Sequence, residues 1–248
     1  MVAAPDRLLA KRKPDRHDWV RNLKEKPPLE TRNLSQQAYD LLRRDILKGI
    51  YMPEMKLQIE AVSERYLIGT VPVREALNQL TAEGLVERIK QRGFFVTRLE
   101  FGDLEQLVST RIWAEKKALR DSIVNGTDEW EDELVLSFHR LARVSRNMTA
   151  DSPDQHLDQW DVKHKEFHMQ LIAKCGSRWL LEFCSSMMDQ AVRYRNISMN
   201  ISSSSARREG AADEHKNLLD AVLNKDVSSA CELLERHYIT TLQALSPD

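Results

Sequence analysis

No stretch of this 248-residue sequence approaches the roughly 20 consecutive apolar residues that a membrane-crossing helix requires. The first residues, Met1 to Lys13, carry no apolar core of the kind found in secretory signals. Together these two absences lead us to expect a cytoplasmic protein with no membrane partner. Cysteine is scarce as well. Cys175, Cys184 and Cys231 are odd in number and lack CxxC spacing, which argues against a disulfide framework or a thiolate zinc site and leaves buried free thiols. No Gly-rich phosphate loop and no GxSxG elbow occurs, so neither a phosphate cradle nor a serine-nucleophile motif is available.

Hydrophobic residues make up 42% of the chain and charged residues 30%, a balance that fits a globular protein of one large domain or two ordinary ones. The net charge of −1 conceals an asymmetry. Residues 1–100 hold 19 Lys/Arg against 14 Asp/Glu, and the remainder holds 18 against 24. A basic front and an acidic back suggest a polyanionic partner for the front alone.

Residues 1–33 mix prolines with charges, including Lys11, Arg12, Lys13 and Arg16, and read as a flexible basic tail that either touches phosphates or is simply solvated. From Leu34 the apolar residues recur at helical spacing through Ala38, Leu41, Leu42 and Ile46, with Gly49 as the stop. A short second helix fits Ile59 to Tyr66. A third fits Pro72 to Glu83, with Pro72 suited to a first turn and Gly84 to the C-terminal stop. The period then changes. Leu85–Ile89 and Phe94–Val96 are β-prone runs joined through Lys90-Gln91-Arg92-Gly93, a hairpin signal. Three helices and a hairpin predict a winged helix-turn-helix over residues 34–99.

Beyond Phe101 the pattern is helical throughout, with spans expected at 102–124, 128–147, 153–174, 177–199, 205–224 and 226–245. Thr127, Ser177 and Asp226 are N-cap candidates, and Ser202 to Ser205 form a serine run. The fold class expected is therefore mainly α: an N-terminal winged helix-turn-helix followed by an all-α six-helix bundle over 102–245.

In a helix-turn-helix the third helix enters the major groove, which makes Thr70, Val71, Pro72 and Arg74 candidates for DNA contact. A guanidinium can grip guanine or phosphate with two prongs, so Arg74 leads; the alternative for it is a surface ion pair with Glu75 or Glu83. Thr70 could bind phosphate or cap its helix. Arg92 and Gly93 at the hairpin tip suit a wing lying along a groove, and Arg43 and Arg44 could hold the DNA backbone. Pro72-Val73-Arg74-Glu75-Ala76-Leu77, then Leu80, Glu83-Gly84-Leu85-Val86 and Arg92-Gly93-Phe94-Phe95-Val96, together with Ile46-Leu47-Lys48-Gly49, resemble the winged helix of the GntR superfamily of bacterial transcription regulators. The family usually carries Ser-Arg just before Thr-Pro-Val-Arg, whereas this chain has Gly69-Thr70-Val71. The missing arginine implies an operator that departs from the family's common one.

His164 and His168 are four apart on one expected helix, with Asp161 one turn earlier, while His215 and His237 lie on the last two helices. Imidazoles gathered from three helices could hold a divalent metal such as zinc, or could be scattered core-edge residues. The second half, however, is similar to the FCD ligand-binding domain of FadR-type GntR regulators. The similarity runs through Thr110-Arg111-Ile112-Trp113-Ala114-Glu115, His164-Lys165-Glu166-Phe167-His168, Glu214-His215 and His237. Many members hold a metal with one Asp and three His. The resemblance implies His168, His215 and His237 as ligands, with His164 where the aspartate stands or Asp161 supplying it from the adjacent turn. It also implies a small carboxylate effector, with Arg111 as its partner and Arg193 and Arg195 as second choices. A buried Arg111 would need either Glu115 or the effector to satisfy it. Trp160-Asp161, Arg193-Tyr194-Arg195 and Gly69-Thr70 are similar to a carbon-starvation-induced branch of the family that represses genes for glutarate and 4-aminobutyrate use, which points to glutarate or a like dicarboxylate.

The function expected is that of a homodimeric repressor released from its double-stranded DNA operator by a small acid. The alternatives are a metal-dependent enzyme built on the same histidines, and a constitutive DNA-binding protein whose bundle only dimerises.

Overall fold

The computed structural model describes residues 29–146, 153–199 and 205–245. The expected basic tail lies outside the described residues up to position 28, as do residues 202–204 of the serine run. The front of the chain runs α1 (Leu29–Leu47), β1 (Lys56–Leu57), α2 (Ile59–Tyr66), α3 (Thr70–Ala82), β2 (Val86–Ile89) and β3 (Gly93–Val96). Helix α1 begins five residues before Leu34, where the helical spacing was read to start. Ala38, Leu42 and Ile46, each one turn apart, are fully buried against Val73, Ala76, Leu77 and Leu80 of α3. Strand β3 is central in an antiparallel sheet of order β1-β3-β2, with Phe94 and Val96 turned into the core. Val86 faces Val96 and Ile89 faces Gly93 across the hairpin. The third strand was not expected: two residues are too few to show a period, yet Lys56 and Leu57 pair with Phe95 and Phe94.

The end of α3 aims the wing. Gly84 has φ +72°, its N–H donates to the Thr81 carbonyl at 3.1 Å, and the Leu85 N–H donates to the Leu80 carbonyl at 3.0 Å. This pair of bonds closes the helix and puts buried Leu85 against buried Leu80. A Cβ on Gly84 would meet nothing nearer than the Gln190 amide nitrogen at 3.7 Å. The cost of Gly84→Ala is therefore conformational, about 1 kcal/mol, and should appear as a lowered urea midpoint with an unchanged slope.

Six helices follow: α4 (Phe101–Asn125), α5 (Asp128–Arg146), α6 (Pro153–Leu171), α7 (Arg178–Met199), α8 (Ser205–Leu223) and α9 (Val227–Leu245). All three expected N-caps form. Thr127 Oγ1 accepts from the Trp130 N–H at 3.3 Å, Ser177 Oγ from Leu180 at 3.2 Å, and Asp226 Oδ1 from Ser229 at 3.0 Å. The bundle's core gathers Leu104, Leu119, Leu134, Phe167, Leu171, Leu218 and Leu234 from five of these helices. The three cysteines are free and buried, and no helix among the described residues is long and apolar enough to cross a membrane.

Helix α7 joins the two halves with side chains that reach backbone carbonyls at the ends of the DNA-reading elements. Gln190 Nε2 donates to the Glu83 carbonyl at 3.2 Å, Arg193 Nη2 to Thr97 at 2.5 Å, and Asn196 Nδ2 to Leu47 at 2.9 Å. Leu47 and Glu83 close α1 and α3, where helix carbonyls have no partner of their own. Asp189 adds an ion pair with Arg43.

Candidate functional site

His164 and His168 project from α6, His215 from α8 and His237 from α9, and all four are buried. One ring nitrogen from each lies within 4.8 Å of the others. Nε2 of His215 stands 3.2 Å from Nε2 of both His164 and His168. A four-coordinate zinc site with bonds of about 2.0–2.1 Å separates its nitrogens by about 3.3 Å, so the spacing fits a small divalent ion. Trp160 stacks on the His164 ring at 4.4 Å and 16°.

The surroundings set the chemistry of these rings. Burial, and then the neighbouring histidines, hold His164 and His168 well below the ordinary imidazole pKa, in the neutral form that ligates metals. The Tyr238 hydroxyl donates its single proton to Glu115 Oε2 at 2.5 Å, and it lies 3.0 Å from His168 Nδ1. His168 Nδ1 must therefore carry the hydrogen and donate to the phenol oxygen, which leaves Nε2 bare toward the cluster. Glu214 Oε2, 2.6 Å from His237 Nδ1, fixes that ring the same way. Sequence reasoning missed Tyr238 and Glu214, although their places, next to His237 and His215 in the chain, were a usable signal.

Two expectations for this region change. Asp161 does not join the cluster: its Oδ1 accepts from Arg195 at 2.5 Å and its Oδ2 from Asn196 at 2.8 Å, so the carboxylate is turned toward α7. Arg193 is fully buried and bound to Thr97 and to Gln190 Oε1 at 2.9 Å, a post at the domain junction, where burial lowers its pKa to about 10. Arg195 lies 5.0 Å over the Trp160 ring, beside His164. Arg111 is buried, its Nε donates to Glu115 Oε1 at 2.8 Å, and its guanidinium stacks 4.3 Å over Tyr238. Burial opposes that charge, but Glu115 and Tyr238 outweigh it and raise the Arg111 pKa. Glu115, one of the two partners anticipated for Arg111, holds its guanidinium.

On the other half, Arg74 is exposed and has no ion pair among the described residues. Glu75 accepts from Ser35 Oγ, and Glu83 is engaged by Tyr39 and Arg43. Thr70 opens α3 after the N-cap residue Gly69 and makes no capping bond; Val71 is exposed and Pro72 buried. Arg92 lies 5.4 Å over Phe95 and is exposed at the wing beside Gly93. Arg44 binds Asp45 at 2.8 Å while remaining about half exposed. Arg43, expected at the DNA backbone, instead faces the helical bundle through Asp189. A crevice between α3 and the wing is lined by Arg74 together with Lys56, Asn78 and Arg88, three residues that sequence reasoning had not singled out.

A winged helix with a crevice lined by Lys56, Arg74 and Arg88, carried on an all-helical bundle, is the build of a DNA-binding transcription regulator. Residues 34–96 match the model described as bacterial regulatory proteins, gntR family, and residues 106–240 match the FCD domain. The chain belongs to the GntR family, in its FCD-containing form, and is a regulator rather than an enzyme. It is 34% identical over 209 residues to the HTH-type transcriptional repressor GlaR of Escherichia coli K12, covering 84% of this chain and 94% of that one. It is 35% identical over 219 residues to the HTH-type transcriptional regulator BphR of Paraburkholderia xenovorans LB400, covering 88% of each. The solved structure of E. coli McbR/YncC shares the fold, with a TM-score of 0.72 at 18% identity, covering 86% of this chain and 96% of that one.

Proposed function

We propose that the protein is a homodimeric repressor. Its winged helices, residues 34–99, hold a double-stranded operator, and its bundle, residues 102–245, releases that operator when a small dicarboxylate binds. The observation that carries this reading is the convergence of four buried imidazoles, two of which, His164 and His168, are held neutral by burial. Imidazole donors carry no negative charge, and with Arg111 paired to Glu115 and Arg195 to Asp161, Glu214 beside His237 offsets one of the two charges of a divalent ion. The positive charge left over favours an acid over a neutral ligand, and glutarate is the first acid to test because of the family resemblance. Zinc is the first metal to test, since imidazole donors suit it, and with its coordination expanded beyond the four rings it would supply a Lewis acid to grip one carboxylate. His164, His168, His215 and His237 would hold it, and Tyr238 and Glu214 would keep the rings of His168 and His237 turned inward. Repression is supported by the relatives GlaR and RspR, both described as repressors. Dimerisation is supported by geometry: two-fold half-sites need two readers.

The test pairs elemental analysis of the purified protein with gel-shift titration at fixed salt. The expected result is one divalent ion per chain and operator release by glutarate at concentrations where acetate has no effect. DNA binding indifferent to every dicarboxylate, from protein without metal, would establish the constitutive alternative.

A further inference from the structure

The outward edge of the recognition helix carries a second polar group one turn beyond Arg74. On α3 the exposed side chains include Thr70, Val71, Arg74, Glu75, Asn78 and Gln79. Glu75 is drawn back to α1 by Ser35. Arg74 and Asn78, four residues apart, share one edge and together line a crevice of about 630 Å³ between α3 and the wing. Among the described residues neither side chain has a hydrogen bond or ion pair. Lys56 and Arg88 flank the crevice from the sheet and offer charge at phosphate positions.

We propose that Asn78 is a specificity-determining residue that reads an adenine in the major groove beside the guanine read by Arg74. A carboxamide presents a donor and an acceptor side by side, the complement of adenine N7 and N6–H, just as a guanidinium complements guanine O6 and N7. Four residues of α-helix advance about 6 Å, and base pairs stack about 3.4 Å apart. The adenine therefore falls one or two base pairs from the guanine in each half-site. A neutral amide has little to offer a phosphate compared with Lys56 and Arg88 around it, and among the described residues no protein partner competes for it. Val71, 62% exposed on the same helix, provides an apolar contact suited to a neighbouring thymine methyl.

The inference rests on the DNA-reading assignment of α3, and the experiment keeps the two apart. Full-length wild type, Asn78→Ala and Asn78→Arg are each used to select duplexes from a randomised pool, and the consensus is checked by competition gel shifts with single-base substitutions. Wild type is expected to favour adenine at a position one or two base pairs from a required guanine, by about 5- to 150-fold over other bases. Asn78→Ala should lose that preference while keeping the guanine and the dependence of binding on salt. Asn78→Arg should exchange adenine for guanine at the same position. Lys56→Ala should instead weaken all sequences alike and reduce the salt slope by about 1. Retention of the adenine preference by Asn78→Ala, or a uniform loss of affinity across sequences, overturns the proposal. Failure of wild type to select any consensus would overturn the DNA-reading assignment itself.

Discussion

Replacement of His215 by alanine should empty the proposed metal centre, taking divalent metal from the expected one ion per chain to a small fraction. Its Nε2 is the common neighbour of the His164 and His168 nitrogens, 3.2 Å from each, so its loss removes the atom about which the others are arranged. The wild-type protein should also lose stability when its metal is chelated. A ligand present at a hundred times its dissociation constant stabilises the fold by about 2.7 kcal/mol, or about 5–10 °C in a chain of this size. His215→Ala should melt at the same temperature with and without chelator, which separates the metal's contribution from the packing lost with the ring. Operator binding in the absence of effector should survive, because the winged helix has its own core, whereas release by dicarboxylate should not. Wild-type protein that carries no divalent metal, or a variant that retains it, would sink the assignment.

The largest effect on folding should come from Glu115→Ala. Glu115 is 1% exposed and holds two groups at once, the Arg111 guanidinium at 2.8 Å and the Tyr238 hydroxyl at 2.5 Å. Its removal leaves a buried cation without a counter-charge and a phenol without an acceptor, at a cost of about 3–5 kcal/mol. Urea denaturation should show that loss directly, and calorimetry should show a midpoint lower by about 6–20 °C. The same change frees Tyr238 to rotate, which loosens the tautomer of His168, so metal affinity should fall by about 10–100-fold. Arg111→Met combined with Glu115→Leu should recover much of the stability without the metal affinity, since it removes both charges together. A Glu115→Ala protein within 1 kcal/mol of wild type would show that the pair carries no such weight.

Much of this was readable from residues alone because it depends on local rules. Helix ends at Gly84, Thr127, Ser177 and Asp226 follow from cap chemistry, which needs only three or four neighbouring residues. His164 and His168 share a face because they are four apart on α6, and the family resemblance supplied His215 and His237. What escaped was set by partners far along the chain. Strand β1 exists because Phe94 and Phe95 lie waiting for it about forty residues later. Arg43 turns from DNA toward Asp189, and Arg193 toward Thr97, because a long guanidinium goes where the tertiary fold places an acceptor. Asp161 had the correct spacing for a ligand, yet its carboxylate found two donors on α7 first.

The Asn196 amide binds the Leu47 carbonyl of α1 and the Asp161 carboxylate of α6 with the same nitrogen, one turn from His164. A joint of this kind has no preferred direction of traffic. Whatever free energy a bound acid withdraws from the protein's grip on DNA, DNA must withdraw in equal measure from its grip on the acid. Under the proposed function the number of occupied operators therefore sets the apparent sensitivity of the sensor: a cell with more target sites would need more effector to empty them, and the operator would act as a second, opposing ligand.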